Sequence, residues 1–496
     1  MARLLFVASE AYPLVKTGGL ADVAGCLPEI LRQKGLDVRL LLPAYGDVLA
    51  SLESAPAVVA ELDLAAELEP GAEGIAEDVN SRVRILEIQL PGTGLVTWLL
   101  DHPIFSERAG NPYQNEQGHP WPDNADRFML LSRAAAAIST RDTALNWRPN
   151  VLHCNDWHTA PAIALVHLSE ERPLTVFTIH NLAHMGIFDR QTFDRLQIPE
   201  HFWQEHGLEY YQQLCFMKGG LVYADYITTV SPTYAQEICH SPGGMGLEGL
   251  LSQRRDRLVG ILNGIDNSTW DPANDPYLEH PFDAATLDRK SGNKADLQRS
   301  LGLASRTDWP LLGFIGRLVE QKGLELMLPV LEQILDSPAQ VVVLGTGDPA
   351  YELRLQAIAD RYPDSMSVVL AYNESLAHRI EAAADIFLMP SLFEPCGLNQ
   401  LYSLRYGTLP VVREVGGLAD TVVDTDAQTL EAGIATGFVF RRPDSSDLLD
   451  AVKRATRLWH EARTWRQLQL TGMAQDFSWQ QSADRYLELY NSPIQR

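Results

Sequence analysis

Residues 3–43 read RLLFVASEAYPLVKTGGLADVAGCLPEILRQKGLDVRLLLP, and the order of patterns in this stretch decides the fold. Residues 3–8 are a short continuous apolar run, as in strands buried on both faces. A loop with Pro13 and Gly18-Gly19 follows. Leu20, Val23, Ala24, Leu27, Ile30 and Leu31 then recur at helical spacing, with Pro28 a conflicting residue where the helix is expected to kink. Gly35 stops the helix, and residues 37–43 supply another buried strand. Strand, loop, helix and strand in that order make a βαβ unit, hence a mainly parallel sheet.

Working outward, further strands are expected at 83–89, 95–100, 151–154, 174–179 and 226–230, and helices at 125–138 and 208–222. Residues 101–124 are polar and rich in Pro and Gly, and read as a long surface loop. Between 241 and 292 the pattern weakens around SPGGMG, Pro272, Pro276 and Pro281, which predicts a domain boundary. Alternation restarts with strands at 311–316, 341–347, 366–372, 385–390 and 408–414. A helix follows Gly323, its pattern interrupted by Pro329, and another lies near 350–361. This is a second doubly wound domain. Trp479, Ala483, Tyr486, Leu487 and Tyr490 share one helical face, so a terminal helix is expected to dock. The reading is α/β, with Rossmann-like domains at 1–265 and 266–476 and a C-terminal helix within 477–496.

The formal charge is −24, from 40 Lys and Arg against 64 Asp and Glu, which argues against nucleic acid as a main partner. Five cysteines without a C-x-x-C pair argue against a disulfide scaffold or zinc ribbon and suit a reducing, cytoplasmic setting. The opening apolar run ends at Glu10 and reads as a strand, not a signal peptide. No apolar stretch is long enough to predict a membrane span. Oligomeric state is left open.

One internal echo marks the chemistry. Residues 17–23 read TGGLADV and residues 415–421 read VGGLADT, each after an expected strand. In parallel α/β sheets the loops after the strand ends form the ligand crevice, so glycine loops on two domains predict a cleft approached from both sides. Lys16, Gly18 and Gly19 suit a phosphate at a helix start, and equally a tight turn with a surface lysine. Arg317 and Lys322 follow a strand and suit a diphosphate, or are solvated loop charges. Glu394 precedes Cys396, Gly397 and Leu398 and either faces a sugar or caps a helix. Nothing adjacent activates Cys396. His153 and His158 are not at a metal spacing, and His180 is either a structural residue or a crevice residue. The G-x-G at 345–347 lacks the third glycine of the dinucleotide fingerprint, and Asp424-Thr425-Asp426 reads as a surface loop.

Together these segments resemble the bacterial glycogen synthases and plant starch synthases. The likeness runs through KTGGLADVAG (16–25), HCNDWHTA (153–160), FTIHNLAHMG (177–186), TTVSPTYAQEI (228–238) and ILNGID (261–266). It continues through GRLVEQKG (316–323), FEPCGLNQLYSLRYGTLP (393–410) and VGGLADTV (415–422). The resemblance implies the GT-B architecture, two Rossmann-like domains facing a deep cleft, with the last helix crossing back to the first domain. It implies retaining transfer of glucose from ADP-glucose to the non-reducing 4-OH of an α-1,4-glucan such as glycogen or a malto-oligosaccharide, without metal or other cofactor. It implies that the first domain serves the glucan and the second the sugar nucleotide. It further implies that Lys16, Gly18 and Gly19 line the diphosphate site, that Arg317 and Lys322 neutralise departing ADP, and that Glu394 holds the transferred sugar near Cys396, Gly397, Leu398 and Gly417. His180 is then expected to contact glucose, Asp22, Asp156 and Asn263 to line the cleft, and Tyr372 to stack on adenine. Many members of the wider superfamily carry a second glutamate eight positions after the first, where this chain has Tyr402. Other readings are a UDP-glucose-dependent transferase, a non-catalytic glucan-binding protein, a pyridoxal-phosphate glucan phosphorylase and, most distantly, a nicotinamide oxidoreductase.

Overall fold

The opening apolar run is β1 (Arg3–Val7), and its Leu4, Leu5, Phe6 and Val7 are fully buried, as a strand covered on both faces must be. The computed structural model describes residues 2–64, 82–108, 111–115 and 118–492. Residues 109–110 and 116–117 of the expected loop, and 493–496 of the expected terminal segment, lie outside the described residues. The chain divides into two compact units, one of Met1–Val230, Ala235–Gly264 and Trp479–Arg496, the other of Ser231–Tyr234 and Ile265–Ser478.

In the first unit β1 pairs in parallel with β2 (Asp37–Pro43) on one side. Along the chain follow β3 (Ala57–Asp63), β4 (Arg82–Gln89), β5 (Val96–Asp101), β6 (Val151–Asn155) and β7 (Leu174–Ile179). After the short strands β8 (Ile187–Phe188), β9 (Glu209–Tyr210) and β10 (Gln213–Cys215), which form their own small sheet, come β11 (Tyr226–Thr229) and β12 (Leu258–Gly260). Among the described residues the order is β12-β11-β7-β6-β1-β2-β5-β4-β3, parallel except where β4 meets β5 and β3. Chain order therefore reverses between β1 and β6, the position at which open α/β sheets leave a crevice.

The second unit has β13 (Leu311–Ile315), β14 (Gln340–Leu344), β15 (Met366–Val369), β16 (Ile386–Met389), β17 (Leu409–Arg413) and β18 (Phe438–Phe440). Their order is β15-β14-β13-β16-β17-β18, all parallel, with the switch point between β13 and β16. Helix Leu324–Leu335 buries Leu324, Met327, Leu331 and Ile334 against Val341, Val343 and Leu388 of the sheet.

Several expected elements differ. Pro28 and Pro329 both sit inside continuous helices, Gly19–Gln33 and Leu324–Leu335, each omitting one main-chain hydrogen bond within a well-buried face. The helix expected at 208–222 is instead β9, a turn, β10 and helix Phe216–Tyr223. Tyr211 and Gln212 take φ of 48° and 63°, which no helix can carry, and buried Lys218 donates to the carbonyls of Glu205 and Glu209 to pin the hairpin. The loop expected at 101–124 contains helix Pro103–Ser106. It is held by Arg127 donating to Pro112 O at 2.6 Å and by Asn124 Nδ2 donating to Tyr113 O at 2.9 Å. β14 and β15 end at Leu344 and Val369, short of the expected 347 and 372, which leaves Tyr372 on a loop.

Helix Trp479–Tyr490 packs on helix Gly19–Gln33 within the first unit. Lys34 pairs with Asp484 at 2.6 Å, Ser482 Oγ donates to Leu262 O, and Tyr490 OH meets His153 Nδ1 at 2.7 Å. Among the described residues no helix is long and apolar enough to cross a membrane.

Candidate active site

In the second unit Arg317 and Lys322 follow β13, Glu394 to Leu398 follow β16 and Gly417 follows β17, whereas Tyr372 follows β15 at the sheet edge. Lys322 Nζ lies 2.6 Å from Glu394 Oε2, and Ser391 Oγ donates to the same oxygen at 3.0 Å. Glu394 is 6% exposed, so its carboxylate is compensated at its own position rather than by water. Three close backbone packings hold it. Gly323, at φ 73°, lies so near Pro390 O that a Cβ there would stand 1.9 Å away. Gly416, at φ 42°, and Gly417 lie under the carbonyls of Glu394 and Cys396, where a Cβ would come within 2.0 and 2.1 Å. Gly417 N donates to Glu394 O at 3.1 Å. Arg413 Nε donates to Ser391 O, and Gln400 Nε2 donates to the carbonyls of Cys396 and Gly397.

Arg317 is exposed on the loop after β13, and Gly316 beside it lies against the Lys322 stem. The G-x-G loop braces this segment. Leu318 N donates to Thr346 O at 2.8 Å, and a Cβ on Gly345 would reach Gly316 O at 1.9 Å. Those glycines thus serve loop-on-loop packing. Leu398 is half-buried, and Tyr372 is 74% exposed with its hydroxyl donating to Glu374 Oε2 at 2.6 Å. Tyr402 is stacked on Trp270 at 3.7 Å and 9° in an apolar core cluster. Asp426 caps helix Ala427–Ala432 and Asp424 pairs with Arg454, so both carboxylates of the D-x-D serve local structure.

In the first unit the loop after β1 leads into helix Gly19–Gln33. Lys16 Nζ meets Asp22 Oδ1 at 2.9 Å, and the Thr17 amide donates to Glu10 Oε2 at 2.6 Å. Gly18 is exposed, and a Cβ there would meet only Glu10 Oε1, at 3.8 Å. The two glycine copies therefore match in sequence and in opening a helix after a strand, but they follow different sheet positions and differ in packing, open here and tightly covered at Gly416-Gly417.

Across the switch point Asp156 sits after β6 with φ 56°, a conformation Asp tolerates better than bulkier residues. Its Oδ1 accepts from His180 N at 2.7 Å, and burial pushes its carboxyl up to about 7. His180 Nε2 lies 2.9 Å from Asn155 Oδ1, while Asn155 Nδ2 donates to Val7 O. The amide is thereby oriented, so His180 donates from Nε2 and keeps Nδ1 as an acceptor. Burial pulls His180 down to about 3, in keeping with a neutral ring. Asn263 is buried beyond β12.

Sequence reasoning missed Glu10, Asn155, Tyr113 and Ser391. Tyr113 OH lies 2.7 Å from Ser9 Oγ, and its ring stacks on His158 at 4.7 Å. Glu10 carried a signal, a carboxylate directly after a buried strand. Asn155 and Tyr113 are separated from their partners along the chain, whereas Ser391 lies three residues before Glu394. Among the described residues no three His, Cys, Asp or Glu side chains gather as a metal site would require.

Residues 3–253 match the model of the starch synthase catalytic domain, and residues 302–467 that of glycosyl transferases group 1. With the two doubly wound sheets, these make the chain a glycosyltransferase of the two-Rossmann-domain, GT-B class. A glycogen synthase of Cellvibrio japonicus is 51% identical, covering 99% of both chains, and glycogen synthase 1 of Methylococcus capsulatus is 48% identical over 99% of this chain and 97% of its own. The catalytic domain of starch synthase IV from Arabidopsis thaliana, solved with ADP and acarbose, superimposes with a TM-score of 0.86 at 31% identity over the whole of both chains. Sucrose-phosphate synthase of Thermosynechococcus elongatus shares the fold, with a TM-score of 0.60 at 18% identity over 99% of this chain and 98% of its own. The chain belongs to the glycogen synthase family.

Proposed function

We propose that this protein elongates glycogen in the cytoplasm, moving glucose from ADP-glucose to the non-reducing 4-OH of an α-1,4-glucan with retention at the anomeric carbon. The observation that carries the reading is the Lys322–Glu394 pair at the switch point between β13 and β16, with Arg317 on the same loop as Lys322. Glucosyl transfer builds negative charge on the diphosphate oxygen and positive charge on the sugar. Fixed cations act where that charge grows. Arg317 and Lys322 neutralise departing ADP, Glu394 holds the sugar, and Cys396, Gly397, Leu398 and Gly417 shape the wall beside it. Tyr372 stacks on adenine. In the first unit Lys16, Gly18 and Gly19 receive diphosphate, His180 takes a glucose hydroxyl, and Asp22, Asp156 and Asn263 line the active site. ADP in the solved Arabidopsis starch synthase IV supports ADP as the carrier. The reading assigns the leaving-group charge to side chains and names no metal or other cofactor.

The test is nucleotide release with glycogen, comparing ADP-glucose with UDP-glucose. Release of ADP with chain growth is expected. Preference for UDP-glucose would overturn the donor assignment, and glucan binding without release would make the chain a binding protein.

A further inference from the structure

Glu10 stands at the end of β1, 3% exposed, and is not used by the mechanism above. Its Oε2 accepts the Thr17 amide at 2.6 Å, and its Oε1 is the nearest atom to the position of a Gly18 Cβ, at 3.8 Å. It therefore touches both residues between Lys16 and the start of the helix. Lys16 in turn is tied to Asp22, one turn into that helix. A loop meant to receive phosphate thus has one amide taken by a buried carboxyl and its cation shared with a second carboxylate.

We propose that Glu10 is a positioning residue for the reaction: its carboxyl group anchors the Thr17 amide and so sets the course of the Lys16–Gly19 loop on which the donor's diphosphate is received. The inference rests on the reading of that loop as a diphosphate site. Glu10 does not touch the reacting atoms. It acts through the loop, and its charge opposes an anion arriving there.

The surroundings make that charge adjustable. Burial pushes Glu10 up to about 7, against the Thr17 hydrogen bonds, and Asp22 pushes it further up. Facing it are Thr17 and Gly18 from the loop, Asp22 from the helix, itself paired with Lys16, Tyr45 after β2 and Tyr113 from the 111–115 segment. Both tyrosines are pushed up by burial and keep their protons near neutrality. Asp156, coupled to Tyr113 and also near 7, titrates in the same range but is unchanged in a Glu10 variant.

The experiment measures kcat and the KM for ADP-glucose from pH 6 to 8 in the full chain, for wild type, Glu10→Gln, Glu10→Ala and Lys16→Ala. Glutamine keeps an acceptor for the Thr17 amide and cannot ionise, whereas alanine removes the acceptor. Expected are a wild-type KM that rises severalfold with pH as Glu10 ionises, a KM in Glu10→Gln flat relative to it, and a KM in Glu10→Ala raised about tenfold, the worth of one charge-assisted hydrogen bond. A purely structural role would lower the melting temperature and leave the pH profile in place. If Glu10→Ala fails to fold, the Glu10→Gln profile decides alone. A Glu10→Gln profile that tracks wild type, or an unchanged KM in folded Glu10→Ala, overturns the proposal. An unchanged KM in Lys16→Ala overturns the diphosphate reading of the loop, and the proposal with it.

Discussion

Lys322 reaches Glu394 from a different loop, and the same carboxylate oxygen takes the Ser391 hydroxyl, so the pair is built from two strand ends. If Lys322 supplies charge to the leaving diphosphate, Lys322→Ala loses on the order of 10²–10³ in kcat at saturating ADP-glucose. Near-normal turnover in that variant would remove Lys322 from the mechanism. The glycines beside these residues separate access from packing. A Cβ on Gly18 meets ordinary van der Waals space, so Gly18→Ala is expected to stay within about 0.5 kcal/mol of wild-type stability while raising the KM for ADP-glucose. A Cβ on Gly417 would land 2.1 Å from Cys396 O and 2.5 Å from Cys396 Cα, main-chain atoms that cannot step aside. Gly417→Ala is therefore expected to displace the Glu394–Cys396 backbone and depress kcat in a folded protein, read by steady-state kinetics beside circular dichroism. The motifs at Lys16, Lys322 and Glu394 were legible because they are contiguous in sequence. Whether a glycine faces ligand or backbone was not, since that depends on a neighbour far along the chain.

Helix Trp479–Tyr490 is bound to the first sheet by one polar chain, from Tyr490 OH to His153 Nδ1 and from His153 Nε2 to Thr178 Oγ1 at 2.6 Å, which continues to Thr228 Oγ1. His153 is fully buried, and desolvation pulls it down to about 3. Its folded value lies below the unfolded one near 6.5, so its contribution to stability is complete above about pH 6.5 and is lost as pH falls toward 3. Over that window the unfolded chain holds one more proton at this site, a slope of about 1.4 kcal/mol per pH unit. His153→Gln is expected to lose stability less steeply than wild type below pH 6.5 in urea unfolding, and parallel curves would refute the assignment. Tyr490→Phe leaves a buried ring nitrogen unpaired and is expected to cost about 1–3 kcal/mol, with faster hydrogen exchange over 479–490. The apolar face of this helix was readable from its periodicity, whereas the partner of His153 lies 337 positions away and no local pattern announces it. The same limit explains the 208–222 segment. Its apolar residues fit a helix, but Tyr211 and Gln212 adopt a left-handed turn that residue type alone does not foretell.

At the scale of the molecule, both sheets follow the strand order that reverses beside their first strand, and apolar runs separated by glycine loops were enough to expect two doubly wound units. The antiparallel β3–β4 edge and the small β8-β10-β9 sheet were not legible as such, because pairing direction and partner are tertiary facts. The net charge of −24 works against an anionic donor at long range, so affinity must come from local cations and amides rather than from steering. Arg317 and Lys322 lie in the second unit, as does Tyr372, which places most of the proposed nucleotide contacts, all but those of the Lys16–Gly19 loop, on one independently cored body. A chain with two such bodies need not unfold in one step. ADP at about 100 times its Kd stabilises whatever binds it by about 2.7 kcal/mol. Calorimetry with and without ADP is therefore expected to show one transition moving up more than the other. Hydrogen exchange is expected to assign the gain to 311–323, 370–376 and 391–398. Protection confined to the first unit would relocate the nucleotide. It would leave Arg317 and Lys322 without the charge they are proposed to meet, so the nucleotide's location tests the mechanism as well as the assignment of the units.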